Sequence, residues 1–183
     1  PGLFVEIQSN QGQWRIEDRY PPDGMESISL DLGGAMMNVA GTTTILPNGD
    51  FGPIYESEPF EEPVWISGLP RLHVDVSTAT VGGQIYALLE DCSEAGDCIH
   101  IGHAIMDLRY HGGGTQEQTW LPIFQTINAK MEFFAMDAQI EAGHFLRLSL
   151  ASTGEDYLPA STSSIVQISE GSSSNLILDT IQE

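Results

Sequence analysis

The chain has 183 residues, of which 41% are hydrophobic and 17% charged, so its composition is that of a folded domain and not of a disordered segment. Acidic residues outnumber basic ones 26 to 6, which gives a formal net charge of −20. Such a surface is repelled by nucleic acid and by anionic lipid, and no run of apolar residues is long enough to span a bilayer, so we expect neither partner. The charge indicates solubility in salt or, alternatively, a docking face for a basic partner or for divalent cations.

The first third of the chain differs from the rest. Residues 1–62 hold two short strand candidates, at 3–8 and 27–32, among segments rich in Gly and Pro. A long loop with little structure is rare inside a compact domain. We therefore predict an extended connector arm over 1–62, which packs on a sandwich or on a missing domain.

From residue 63 onward, apolar and polar residues alternate with period 2, which is typical of half-buried strands. The clearest cases are 71–78, with Leu72, Val74 and Val76 on one face, and 144–152. Further strand candidates lie at 84–91, 99–110, 130–140, 163–169 and 175–181. Regularly spaced strands with Gly-rich turns predict an all-β fold, a jelly-roll-type antiparallel β-sandwich over 63–183.

The sequence does not contain a recognisable hydrolase nucleophile, since the G-x-S-x-G elbow is absent. His144 follows the turn EAG and could act as a general base, or it could simply open a strand and cap a turn. The segment HGGGT at 111–115 is similar to an oxyanion-hole loop, but without an elbow serine a flexible loop is the simpler interpretation. We expect no catalytic residue in this chain.

Metal and cofactor sites are not expected either. His100 and His103 are three residues apart, so on a regular strand they face opposite sides and cannot share a zinc ion. The acidic loop EDCSEAGDC, at 90–98, could offer oxygens to calcium but lacks the ligand pattern of an EF-hand.

Cys92 and Cys98 are the only cysteines and flank the turn-like pentapeptide SEAGD between two strand candidates. We predict that they form a small disulfide, with two free thiols as the alternative. A disulfide would indicate an oxidising, extracellular or periplasmic compartment.

Three segments, in this order, resemble the C-terminal part of the X-Pro dipeptidyl-peptidase and cocaine-esterase-like (CocE/NonD) serine hydrolases. The first is a Q-x-x-x-G-x-W-R segment followed by Pro-Pro, and the second and third are strands at 66–77 and 142–152. The first is carried by Gln8, Gly12, Trp14, Arg15, Pro21 and Pro22. The resemblance covers roughly residues 5–168.

The resemblance implies that the chain is the non-catalytic β-sandwich domain of a serine hydrolase that acts on acyl esters or on peptides with a penultimate proline. Its partner would be a covalently linked, upstream α/β-hydrolase domain that carries the catalytic triad, and His144 would match a strand position. We interpret SNQGQWRIEDRYPPDG as a connector that lies against that domain. Trp14 and Tyr20 would be its anchors, while Arg15 and Arg19 would pair with carboxylates. Alternatively, Trp14 covers the sandwich's own edge.

Two other functions stay open. A stand-alone jelly roll could bind carbohydrate or a surface polymer through aromatic side chains, for which the candidates are Trp65, Tyr86, Tyr110, Trp120 and Tyr157. An independent hydrolase would instead turn over esters and be blocked by a serine-directed reagent. The sequence does not fix the oligomeric state, a homo-oligomer included.

Overall fold

A computed structural model describes residues 4–112, 118–160 and 164–181. Over these residues the chain is built from strands and one short 3-10 helix, Leu108–Tyr110, and it has no helix long and apolar enough to cross a bilayer. The strands are β1 (Val5–Gln8), β2 (Trp14–Glu17), β3 (Glu26–Leu32), β4 (Met36–Asn38), β5 (Thr44–Ile45), β6 (Ile54–Ser57), β7 (Val64–Gly68), β8 (Arg71–Thr78), β9 (Gln84–Cys92), β10 (Cys98–Asp107), β11 (Ile127–Glu132), β12 (Met136–Ile140), β13 (Phe145–Ala151), β14 (Val166–Ser169) and β15 (Gly171–Ile181).

The strands form a two-stranded ribbon, β1–β2, and one large sheet. The path of the large sheet is β10-β9-β13-β6-β4-β3-β15-β8-β14-β5, with β11 paired to β8, and β7 joining β12 to β15. All pairs are antiparallel except the single-residue contact of β3 with β4. The predicted all-β sandwich is confirmed.

The core follows from the alternation seen in the sequence. In β8, residues 72, 74 and 76 are fully buried, and in β13 the buried leucines are 146, 148 and 150. They join one cluster with the inward residues of β9, β14 and β15. Period-2 patterning therefore predicted which face of each strand enters the core.

Where the sequence pattern was less regular, the predicted elements differ from the structure. The predicted strand at 130–140 is two strands, β11 and β12, because Phe133 turns into the core and the chain changes partner from β8 to β7. The predicted strand at 99–110 ends at Asp107, whose carboxylate accepts a hydrogen bond from the Arg109 amide and so starts the 3-10 helix.

The division into an arm of residues 1–62 and a sandwich of residues 63–183 stays a prediction about folding units. Strands on both sides of residue 62 nevertheless pair with each other: β3 with β15, and β6 with β13. Leu32, Met36, Ile45 and Tyr55 are fully buried in the common core. Of the predicted arm, the part that lies outside the large sheet before β3 is therefore the β1–β2 ribbon and the stretch that connects it to β3.

Candidate interdomain surface

The β1–β2 ribbon has two unlike faces because alternate residues of a strand point to opposite sides. Its turn closes at Gly12, which has a φ of +78° and accepts the left-handed conformation that glycine tolerates. The pairing register sets Ile7 opposite Arg15, and Gln8 opposite Trp14. Ile7 is buried and Trp14 exposed, so the first pair faces the sandwich and the second faces away.

The inner face of the ribbon is clamped to the sandwich by Arg15. Its Nη2 lies 2.6 Å from Asp137 Oδ1 and 3.0 Å from Ser67 Oγ, and its guanidinium lies 4.5 Å from the centre of the Trp65 ring. Trp65 Nε1 donates to the other oxygen of the same carboxylate at 3.0 Å. The Asp137 side chain is only 3% exposed, so this is a nearly buried ion pair with both carboxylate oxygens hydrogen-bonded.

The turn of the ribbon also satisfies the free edge of β12. Asn10 donates its backbone N–H to the Asp137 carbonyl at 3.1 Å, and its side-chain oxygen accepts from the Gln139 amide at 2.9 Å. An unpaired strand edge is a site of unwanted association, and here the ribbon covers part of it.

Tyr20 holds the far end of the connector. Its hydroxyl lies 2.7 Å from the Met136 carbonyl oxygen, to which it donates, and accepts from the Gly68 amide at 3.0 Å. Burial raises the pKa of this phenol, and the nearby Asp137 charge acts in the same direction. Tyr20 is therefore an anchor on the chain's own sandwich.

Arg19, by contrast, forms a surface ion pair with Asp23, and both side chains are largely exposed. The resemblance predicts that Arg15 and Arg19, in a connector that lies against a missing domain, pair with carboxylates. In the structure both have carboxylate partners within this chain, and Arg15 is the one that is held rigidly.

The outer face of the ribbon consists of Phe4, Glu6, Gln8, Trp14 and Ile16. Three of these are large and apolar, and they are exposed to 61% (Phe4), 65% (Trp14) and 68% (Ile16). Trp14 thus does not cover the sandwich's edge. Phe4 and Ile16 are not among the predicted contact residues, although the alternation in WRIE places residues 14 and 16 on one side.

Cys92 and Cys98 are joined by a disulfide in the structure, at the end of the β9–β10 hairpin where they are directly paired. Arg147 donates to Cys98 Sγ at 3.1 Å and pairs with Glu56, so the hairpin end is tied to β13 and β6. The residues that hold the ribbon, on β7 and β12, take no part in these contacts.

His144 Nδ1 lies 2.8 Å from Oδ1 of the buried Asp91, and this contact ties the start of β13 to β9. Among the described residues the His144 ring has no other hydrogen-bond partner, so no serine hydroxyl is bonded to it. Of the HGGGT segment, residues 113–115 lie outside the described residues.

The expectation that His100 and His103 face opposite sides is wrong. A β-bulge between residues 100 and 102 adds a residue to β10, so both rings lie on one face, with His103 Nδ1 3.3 Å from His100 Nε2. Over the described parts of the chain, no group of three or more His, Cys, Asp or Glu side chains could hold a metal ion.

The aromatic residues considered for polymer binding do not share one face. Trp65 lies under Arg15, Tyr110 accepts a hydrogen bond from Gln118, and Trp120 is exposed in a loop near Arg109. Tyr86 and Tyr157 lie together, 5.9 Å apart, in a separate depression.

Comparison with known proteins agrees with this architecture. The chain has a TM-score of 0.80 to a CocE/NonD family hydrolase from Staphylococcus aureus, at 12% identity over 99% of this chain and 42% of that one. It has a TM-score of 0.74 to an aminopeptidase from a Thaumarchaeota archaeon, at 12% identity over 96% of this chain and 40% of that one. For an α-amino acid ester hydrolase the TM-score is 0.66, at 13% identity over 97% of this chain and 41% of that one.

At these identities the likeness shows a shared fold, and this chain spans about two fifths of each similar protein. No curated protein sequence matches this chain. The family described as X-Pro dipeptidyl-peptidase C-terminal non-catalytic domain matches residues 4–179, nearly the whole chain. The chain therefore belongs to that family of C-terminal non-catalytic domains.

Proposed function

We propose that this chain is the C-terminal domain of a larger serine hydrolase, in which it stabilises the enzyme and helps to form the substrate cleft without supplying catalytic residues. The family membership and the two-fifths coverage of similar hydrolases support this proposal. In it, the whole enzyme acts by acyl transfer through a serine ester on acyl esters or on peptides with a penultimate proline. The triad and the oxyanion hole belong to the other domain.

The observation that carries the proposal is the exposed apolar face of the ribbon, formed by Phe4, Trp14 and Ile16. Apolar side chains in one exposed patch mark a contact site more often than isolated ones do. A tryptophan on a rigid support is a favourable anchor, since little side-chain entropy is lost on docking. The Arg15–Asp137 pair gives that support by fixing the opposite face of the same two strands.

A covalently linked catalytic domain is the occupant we assign to this face. A linked partner acts at a high effective concentration, so a patch of three large side chains is sufficient where two separate proteins would need a larger interface. The ribbon lies at the start of the matched region, at residues 5–17, which is the side from which a preceding domain would connect.

The test compares two forms of the protein, this chain alone and the enzyme encoded by the complete reading frame. We expect the frame to encode an elbow serine, followed by the triad Asp and His, before Pro1. In the complete enzyme, Trp14→Ala and Ile16→Ala should each lower the free energy of unfolding by about 1–2 kcal/mol and reduce ester or X-Pro peptide turnover. In this chain alone both variants should unfold like the wild type, because the two side chains are already exposed.

Ile99→Ala is the matched control, because Ile99 is an exposed apolar strand residue on the disulfide-closed hairpin. It should have little effect in either form. The same small effect of Trp14→Ala in both forms would contradict the docking face, and a frame without a serine hydrolase domain would contradict the proposed enzyme.

A further inference from the structure

A depression of about 630 Å³ lies on the outer side of β9 and β10, between the loops at 48–51 and 153–157. The ribbon is held by other residues, on β7 and β12, so the depression is separate from the surface described above. Its lining includes Asp50, Phe51, Tyr86, His103, Glu155 and Asp156. The proposed function assigns no role to this group of residues.

Aromatic rings lie in and beside the depression: Phe51, Tyr86 and His103 line it, and Phe134 and Tyr157 adjoin His103. The centre of its ring lies 5.0 Å from that of Phe134, 5.7 Å from that of Tyr157 and 5.9 Å from that of Tyr86, while Phe51 lies 6.4 Å from Tyr86. These contacts exist because the bulge in β10 turns His100 and His103 to the same side. The rings therefore make one continuous aromatic cluster.

All formal charges of the lining are negative at neutral pH. Asp50, Glu155 and Asp156 are at the rim, and the lining contains no Lys or Arg. Burial lowers the pKa of His103, and the neighbouring His100 lowers it further, so the central ring is neutral at pH 7. The depression thus combines carboxylates with π-faces and has no built-in cation.

Tyr86 brings a polar group to this depression. The residue is only 9% exposed, yet among the described residues its hydroxyl has no hydrogen-bond partner. Burial raises the pKa of this phenol, and the negative charges of Asp156 and Glu155 add to the effect, so the group is a neutral phenol beside two carboxylates. The hydroxyl oxygen itself is not buried, so it is open to the depression and available to a ligand.

The position of the 153–157 loop above this ring is fixed. A Cβ atom on Gly154 would lie 2.7 Å from carbon atoms of the Tyr86 ring, so only glycine allows the loop to approach so closely. Tyr157 then reaches His103 Nε2 with its hydroxyl at 2.8 Å. The site is therefore built before any ligand arrives, which reduces the entropy that binding would cost.

We propose that this depression binds an organic cation, a primary ammonium or a guanidinium group on an alkyl chain. Such a cation is attracted by aromatic faces and by carboxylates together, and it can donate a hydrogen bond to the unpartnered Tyr86 hydroxyl oxygen. An anion would meet three negative side chains. A neutral sugar gains no charge attraction from these carboxylates, and a depression of about 630 Å³ has ample room for the cation and its alkyl chain.

The first experiment titrates this chain with N-acetyl-arginine amide and with its neutral isostere, N-acetyl-citrulline amide, and follows amide chemical shifts. The ionic strength is about 0.15 M, where the Debye length is about 8 Å, to suppress diffuse attraction by the net charge. We expect the arginine derivative to shift the amides of residues 86, 100–103 and 154–157 at concentrations about tenfold lower than the citrulline derivative. Equal responses to both would overturn the proposal.

The second experiment repeats the titration with variants. Phe51→Ala and Asp156→Asn should each weaken binding of the arginine derivative by roughly 3- to 10-fold. Asp23→Asn is the matched control, because Asp23 is an exposed acid outside the depression, and it should leave the affinity unchanged. An equal loss for the control would show diffuse electrostatic attraction only. Stronger shifts with galactose or glucose at the same amides would show a sugar site; either result would refute the proposal.

Discussion

Replacing Arg15 by Ala tests whether the ribbon is fixed to the sandwich. The change removes a guanidinium that lies 2.6 Å from a carboxylate that is 3% exposed, and Arg15 itself is only 18% exposed. Removal of one member of a buried ion pair leaves an uncompensated charge, which typically costs about 3–5 kcal/mol. Trp65 and its remaining hydrogen bond stay in place, so we expect a loss near the lower end, about 3 kcal/mol.

The assay is urea unfolding, followed by tryptophan fluorescence and checked by amide hydrogen exchange over residues 5–17. Exchange is needed because a released ribbon could open locally without unfolding the sandwich. Arg19→Ala is the matched control, since its ion pair with Asp23 is exposed and should contribute about 0.5 kcal/mol or less. The double variant with Asp137→Ala should lose less than the sum of the single variants, by about 1–3 kcal/mol.

Arg15→Ala would refute this reasoning if it behaved like Arg19→Ala in both unfolding and exchange. That result would mean that the ribbon is not held by the ion pair, and the rigid support for the outer face would then be absent.

Three further predictions concern other parts of the molecule. Reduction of the Cys92–Cys98 disulfide should lower the free energy of unfolding by only about 2 kcal/mol, because the bridged residues are only 6 apart in sequence. Denaturant unfolding with and without reductant measures this change. A much larger loss would mean that the bond does more than restrict the unfolded chain. The folded-state pKa of His103 is lowered, so the unfolded chain binds more protons and stability should fall as the pH drops below about 6.5. A His103→Gln variant should show a weaker decline between neutral and mildly acidic pH, and an unchanged pH profile would contradict the assigned shift. Gly52→Ala should lower the free energy of unfolding by roughly 1–3 kcal/mol, because its Cβ would lie 2.4 Å from a backbone carbonyl oxygen. Gly112→Ala, whose Cβ would have no atom of the described residues within 4 Å, should be nearly neutral in thermal unfolding. Equal effects of the two alanines would show that the neighbouring backbone yields without cost.

Side-chain alternation was sufficient to predict the class of fold, because the alternation of a half-buried strand is a local property. The strand at 71–78 and its buried face could be read from eight consecutive residues, and the leucines of β13 likewise. The ordered set of segments in the family resemblance predicted the family, which the match over residues 4–179 confirms.

Shorter strands were harder to predict. β4, β5 and β6 have two to four residues each and lie among Gly and Pro. Their place in the sheet depends on partners far along the chain, such as β13 for β6. No local pattern contains that information, because pairing over such separations is decided by the packing of the whole core.

For the candidate surfaces, too, local sequence patterns predicted the residues but not their orientation. The sequence singled out Trp14, Arg15 and Tyr20 as contact residues, but only the tertiary structure decides that Arg15 and Tyr20 turn inward while Trp14 turns outward. The carboxylate that fixes this choice, Asp137, lies 122 residues from Arg15. Likewise, a regular strand would separate His100 from His103, and one extra residue in β10 brings them together. Composition and periodicity determine which residues are buried; the register of strands distant in sequence decides which exposed residues meet.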